Sequence, residues 1–190
     1  MGSKDFTPGC CRCSLSERRK QVVFGVGNIE ANLILCGKSP NRYEDNIGKP
    51  FVGKQGGIVD MFLEPLGLDR KKVFVTNVCL CRPVNEKGNT RKLKKHEIRA
   101  CRPRLIKTLR HIGHYGVLMG LTASEAVLKV SRPLWGRPVY VKKLSKWFLP
   151  VKHPSWYLRG KQNYLSFGIT EFVNGVKEMR RLCKLGDQHA

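Results

Sequence analysis

The chain is predicted to fold as an α/β domain of three layers, with helices on both faces of a mainly parallel central sheet. Two observations predict this. Short apolar runs alternate along the chain with stretches of helical pattern, and Gly, Pro or charged residues bound each run. Strands are expected at 31–36, 73–79, 115–119, 138–142 and 147–152.

In chain order, Ala31-Asn32-Leu33-Ile34-Leu35 opens the first strand, and a long connection, Cys36 to Gly57, follows it. Loops of that length inside compact domains are functional or disordered. Residues 56–66 are expected to be helical up to the Gly67 stop, and 73–79 forms the second strand. A helix over 96–111 starts near Glu97, and 115–119 returns to the sheet. Thr122-Ala123-Ser124-Glu125 has the form of a capping box opening a helix that runs to about Val130. Strands at 138–142 and 147–152 come next. The last helix is the clearest: Ile169, Phe172, Val173, Val176, Met179 and Leu182 recur at helical spacing, with Lys177, Arg180 and Arg181 between them. A loose tail is expected over 184–190. No repeat or linker divides the 190 residues, so 1–190 is treated as one domain.

Thirty-six Lys and Arg against 14 Asp and Glu give a net charge of +22. Solubility needs far less, and a field of that size attracts polyanions. No apolar run is long enough to cross a membrane, no basic amphipathic helix stands out, and no signal-peptide pattern opens the chain. The expected partner is nucleic acid rather than a membrane. The protein is expected to be monomeric, cytoplasmic and associated with the nucleoid.

Eight cysteines, at 10, 11, 13, 36, 79, 81, 101 and 183, point to metal or redox chemistry in such a setting. Cys10-x2-Cys13 offers two soft ligands from one turn, and Cys81 with Cys101 would complete a site of four thiolates. Such a set suits zinc or an iron–sulfur cluster, and spacing alone leans to zinc. In open α/β sheets ligands bind beyond the carboxyl ends of the strands. That puts the long loop, Asn77 and the segment after Val151 around one crevice.

Several stretches, in order, resemble the iron–sulfur uracil-DNA glycosylases of family four. They are "CCRCSLSERRKQVVFGVGN", "EDNIGKPFVGKQGGIVD", "VFVTNVCLCRP", "EIRACRPRL", "GLTASEAVL" and "HPSWYLRG", spanning about Cys10 to Arg159. The resemblance implies a uracil-DNA glycosylase-like fold and a 4Fe–4S cluster held by Cys10, Cys13, Cys81 and Cys101. It implies a base flipped out of the stack, with Phe51 stacking on it and Asn77 reading its edge with an amide that both donates and accepts. His153 matches the histidine that stabilises negative charge on the departing base. Glu44 matches an acid bordering the base near C5. Ser155, Trp156, Tyr157, Leu158 and Arg159 match the loop pushed into the duplex, where one of the two aromatics packing inward is the competing reading. Arg91, Lys92, Lys94 and Lys95, in an apparently longer and more basic segment than usual, are expected to meet phosphates, with a solvated charge run as the alternative. His96 falls too late to match the histidine that one relative uses to form a sugar adduct.

One departure stands out. Where the family reads Gly-Glu-(small)-Pro-Gly, this chain reads Gly37-Lys38-Ser39-Pro40-Asn41. The acid implicated in handling water is a lysine, and Asn41 is expected to tolerate the left-handed backbone of the lost glycine. Plain uracil is the default substrate. Lys38 raises a second class, pyrimidines enlarged at C5 such as hydroxymethylated or glucosylated bases of phage DNA, which would make the enzyme a defence factor. It also raises a catalytically silent module that binds DNA and flips bases.

Overall fold

The computed structural model describes residues 8–159 and 162–187. Six strands form one sheet in the order β1-β3-β2-β4-β6-β5: β1 Val26–Gly27, β2 Leu33–Gly37, β3 Val73–Asn77, β4 Tyr115–Met119, β5 Val139–Val141 and β6 Lys146–Val151. The four central strands run parallel, and the short edge strands β1 and β5 pair antiparallel. The five predicted strands are present within one or two residues; β1, two residues long, has no hydrophobic pattern to announce it.

Alternation along each strand sorts the core into two halves. Ile34, Cys36, Phe74, Leu118 and Phe148 point to one face, where they meet Leu105 of α3 (Lys95–His111) and Ala123 of α4 (Leu121–Leu128). Leu33, Leu35, Val75, Val117 and Leu149 point to the other. There they meet Phe62 of α2 (Lys54–Leu63), Tyr157 of α5 (Pro154–Tyr157) and Phe172 of α6 (Gln162–Asp187). The expected three-layer arrangement is therefore present.

Four local expectations are corrected. The long loop contains a helix, α1 Arg42–Ile47, capped by Asn41, whose side chain accepts from the backbone of Tyr43 and Glu44. Asn41 is extended (φ −86°), not left-handed: it serves as a cap. Thr122 does not cap α4, which starts from Gly120 with no side-chain cap; Thr122 is already the second residue of the helix. The tail expected over 184–190 is helical to Asp187, because α6 runs on past its apolar face, and residues 188–190 lie outside the described part.

Candidate active site

The ends of β2, β3 and β6 bring three of the expected residues together. Gly37 and Asn77 are register partners at the carboxyl ends of β2 and β3, and His153 follows β6 as the N-cap of α5. A Cβ on Gly37 would lie 2.3 Å from Phe51 Cζ and 2.5 Å from Asn77 Oδ1, so only glycine lets the ring and amide approach this closely. The Phe51 and His153 rings lie 6.2 Å apart, tilted by 35°. Phe51 is only 3% exposed and forms an inner wall rather than a protruding ring. A hollow of about 380 Å³ opens on its far side, lined by Val26, Pro50 and Arg70 and not by His153 or Asn77.

Asn77 is buried, and its Nδ2 has no hydrogen-bond partner among the described residues. Leaving such a donor orphaned costs about 1–3 kcal/mol, which a ligand carbonyl would recover. Its backbone is fixed by Arg104 of α3, which donates to Thr76 Oγ1 (3.1 Å) and to the carbonyls of Asn77 (2.5 Å) and Val78 (2.8 Å).

His153 has a defined tautomer. Its Nδ1 accepts from the Ser155 backbone N–H at 3.2 Å, with Ser155 Oγ at 2.9 Å. The ring proton therefore sits on Nε2, as a donor. Burial, and then the nearby charges of Lys38 and Arg159, push the imidazole down to about 4, so it is neutral at physiological pH. Lys38 is half-buried, and its charge is felt at the imidazole; its main chain accepts from Cys79 N–H.

Glu44 departs from its expected position beside a substrate. It is 3% exposed, and its two oxygens accept from the backbone N–H groups of Asn41 (2.9 Å) and Phe51 (2.7 Å). Burial pushes this carboxyl above its ordinary value, against the pull of those donors. Arg70, which the sequence reading did not single out, donates to the carbonyls of Phe51 and Gly56. No short-range pattern signals it, because it acts on main chain 14 to 19 residues away.

The segment after His153 divides by side chain. Ser155 is occupied with His153. Tyr157 packs inward at 5% exposure, edge-on to Phe62, so it is core rather than DNA-facing; its ring fills the space under α5. Trp156 is half-buried beneath the Lys152 ammonium, 4.1 Å from the ring centre. Leu158, 45% exposed, and Arg159 remain on the surface. In the basic segment, Lys92, Lys94 and Lys95 are exposed. Arg91 is not free for phosphate: it makes paired bonds of 2.6 and 3.0 Å to the fully buried Glu97. Despite its burial, Glu97 is held at about 2 by Arg91, the Lys94 N–H and Ser14.

The thiols gather around the start of α3. Cys13 feels the charges of Cys101 and Cys10, and Cys81 those of Cys101 and Cys13. Burial pushes Cys81 up to about 12, while Arg19 opposes it with a 3.5 Å bond to the sulfur. The same guanidinium holds the Cys10 carbonyl at 2.5 Å. The Cys79 thiol donates to the Glu97 carbonyl at 3.7 Å and lies close enough to Cys101 for their charges to interact. Among the described residues, no three Cys, His, Asp or Glu side chains converge closely enough, as placed, to hold a metal ion. The donor chemistry nevertheless fits a thiolate-bound group. The guanidinium of Arg104 is buried, its Nε finds no partner among the described residues, and the charges that offset its burial are those of Cys36, Cys101, Cys79 and Cys81.

No described helix is long and apolar enough to cross a membrane. Residues 24–178 match the model of the uracil DNA glycosylase superfamily. The type-4 uracil-DNA glycosylase of Thermotoga maritima is 30% identical over 177 residues, covering 88% of each chain. That of Pyrobaculum aerophilum is 34% identical over 127 residues, 66% of this chain and 63% of the relative. That of Saccharolobus solfataricus is 37% identical over 122 residues, 63% and 55%. With a strand-end histidine, amide and aromatic in one place and a superfamily match over most of its length, the chain belongs to the uracil-DNA glycosylase superfamily, alongside the type-4 enzymes, and is a DNA glycosylase.

Proposed function

We propose that the protein removes uracil from DNA by hydrolysing its N-glycosidic bond and leaving an abasic site. The observation that carries this is the neutral His153, whose Nε2–H is its only donor, sharing the neighbouring Phe51 ring with the strand end that bears the orphaned amide of Asn77. A neutral imidazole donor suits this reaction. When the bond between base N1 and sugar C1′ breaks, the electron pair leaves with the base and the sugar becomes cationic. Nε2–H then stabilises the negative charge growing on the base oxygen, an interaction that strengthens in the transition state. Water adds at C1′ and loses a proton. Asn77 reads the base edge, its Nδ2 toward a carbonyl and its Oδ1 toward the ring N–H. Phe51 supplies the stacking wall, and the exposed Leu158 is the apolar side chain suited to fill the gap left in the duplex.

Cys10, Cys13, Cys81 and Cys101 would hold the 4Fe–4S cluster, which braces the N-terminal segment against α3 when bound. Lys38, as an ammonium, cannot take a proton from the attacking water. Its charge at His153 instead adds positive potential where the departing base becomes negative. The same cation favours a second substrate class, pyrimidines carrying an electron-rich C5 substituent. Duplexes bearing uracil, thymine, 5-hydroxymethylcytosine or its glucosylated form, followed by an alkali-cleavage assay, test both readings. Uracil is expected to be excised. Lys38→Glu is expected to keep or raise that activity while reducing any excision of the enlarged bases. Tight binding with no alkali-labile site for any base would replace this reading with a silent, base-flipping module.

A further inference from the structure

We propose that Glu44 and Arg70 are positioning residues for base excision, locking Phe51 in the left-handed backbone conformation that sets its ring beside Gly37, Asn77 and His153. The inference rests on the reading that Phe51 meets the base.

Phe51 has φ +51°. For a bulky side chain this region is sparsely populated, and it persists only where the surroundings over-determine it. Here they do so from three sides. The Phe51 N–H donates to Glu44 Oε1 at 2.7 Å. Its carbonyl accepts from an Arg70 terminal nitrogen at 3.1 Å; that nitrogen also holds the Gly56 carbonyl at 2.9 Å, while Arg70 Nε pairs with Asp60 at 2.5 Å. A Cβ at Gly56 would lie 2.2 Å from the Phe51 carbonyl oxygen, so the start of α2 closes directly onto this peptide.

Both charged groups thus grip main chain. Glu44 is buried with an acceptor bond to each end of the loop, because its other oxygen holds Asn41. Without the grip, Phe51 relaxes toward negative φ and its ring leaves the space that Gly37 keeps open by lacking a Cβ. Neither Glu44 nor Arg70 hydrogen-bonds Asn77 or His153, so their influence on the chemistry runs through Phe51.

A double-mutant cycle separates positioning from general stability. Single-turnover excision, on whichever base the substrate panel shows to be cleaved, is measured for wild type, Phe51→Ala, Arg70→Met and the pair, with the melting temperature of each. Phe51→Ala and Arg70→Met are each expected to slow excision by about tenfold. In the Phe51→Ala background Arg70→Met should add less than about twofold, since no ring remains to be placed. Asp60→Ala, which removes only the exposed partner of Arg70, should act in the same direction with a smaller loss and keeps the test open if Arg70→Met folds poorly. Equal fold-losses in both backgrounds would overturn the proposal. Hydrogen exchange at the Phe51 amide needs no activity and tests the lock alone: about tenfold faster exchange in Arg70→Met is expected, and unchanged exchange would also overturn it. If Phe51→Ala leaves excision intact, the stacking role of Phe51 fails, and the positioning role with it, whatever the exchange shows.

Discussion

Lowering the pH from 8 to 5 should erode a specific part of the stability of this fold, the part that keeps His153 neutral. In an unfolded chain an imidazole titrates near 6.5; in the fold, burial and then the charges of Lys38 and Arg159 bring it to about 4. Between those values the unfolded chain binds a proton that the folded chain refuses. The contribution is therefore fully present above about pH 6.5 and is lost as pH falls toward 4. The whole difference corresponds to at most about 3.4 kcal/mol, of which about 2 kcal/mol has gone by pH 5. His153→Gln isolates the effect, because Gln does not titrate and the carboxylates that do are common to both proteins. For a domain of 190 residues, about 2 kcal/mol shifts the melting temperature by roughly 4–8 °C. Thermal melts of both proteins at pH 8 and pH 5 should show the wild type losing that much relative to the variant. A gap that stays constant would mean that burial does not lower the folded imidazole; one that moves in favour of the wild type at pH 5 would mean that the fold holds the proton, and the neutral-donor mechanism would fall.

Three further outcomes are expected. Neutralising Lys92, Lys94 and Lys95 together should weaken binding to all DNA sequences alike and flatten the salt dependence by up to about 0.9 in slope per lost phosphate contact; an unchanged slope would make them merely solvated. Arg91→Ala should instead lower stability by about 2–3 kcal/mol, because it strands the buried Glu97 carboxylate, and urea melts would reveal it. Anaerobically purified protein should contain iron, which Cys81→Ser or Cys101→Ser should deplete; stoichiometric zinc without iron would refute the cluster.

Much of the fold was legible because buried parallel strands leave continuous apolar runs and the helices between them keep a 3.6-residue period. Two residues of β1 carry no period at all. Helix α1 was legible in principle: Asn41 and Glu44 stand three apart in capping-box spacing, but the many loop residues around them hid it. Thr122 shows the opposite error, a capping-box pattern in the sequence where the chain geometry has already begun the helix at Leu121. The residues expected at the strand ends gather there because strand order decides which loops meet. What sequence could not show is how charged groups are spent. Arg91 turns inward to Glu97, and Glu44 and Arg70 hold main chain, because burial makes each partner necessary and burial is a tertiary property.

The three bonds of Arg104 carry a mechanical consequence. Cys101 and Arg104 lie one turn apart on α3, and Arg104 grips the end of β3 at Asn77. A hydrogen-bonded helix is stiff over a single turn, so α3 couples the cysteine pole mechanically to the Asn77 main chain. Displacement of the cysteine end of α3 would pull on the strand end that carries Asn77. The same three bonds therefore tie the order of the thiol cluster to the order of the β3 end.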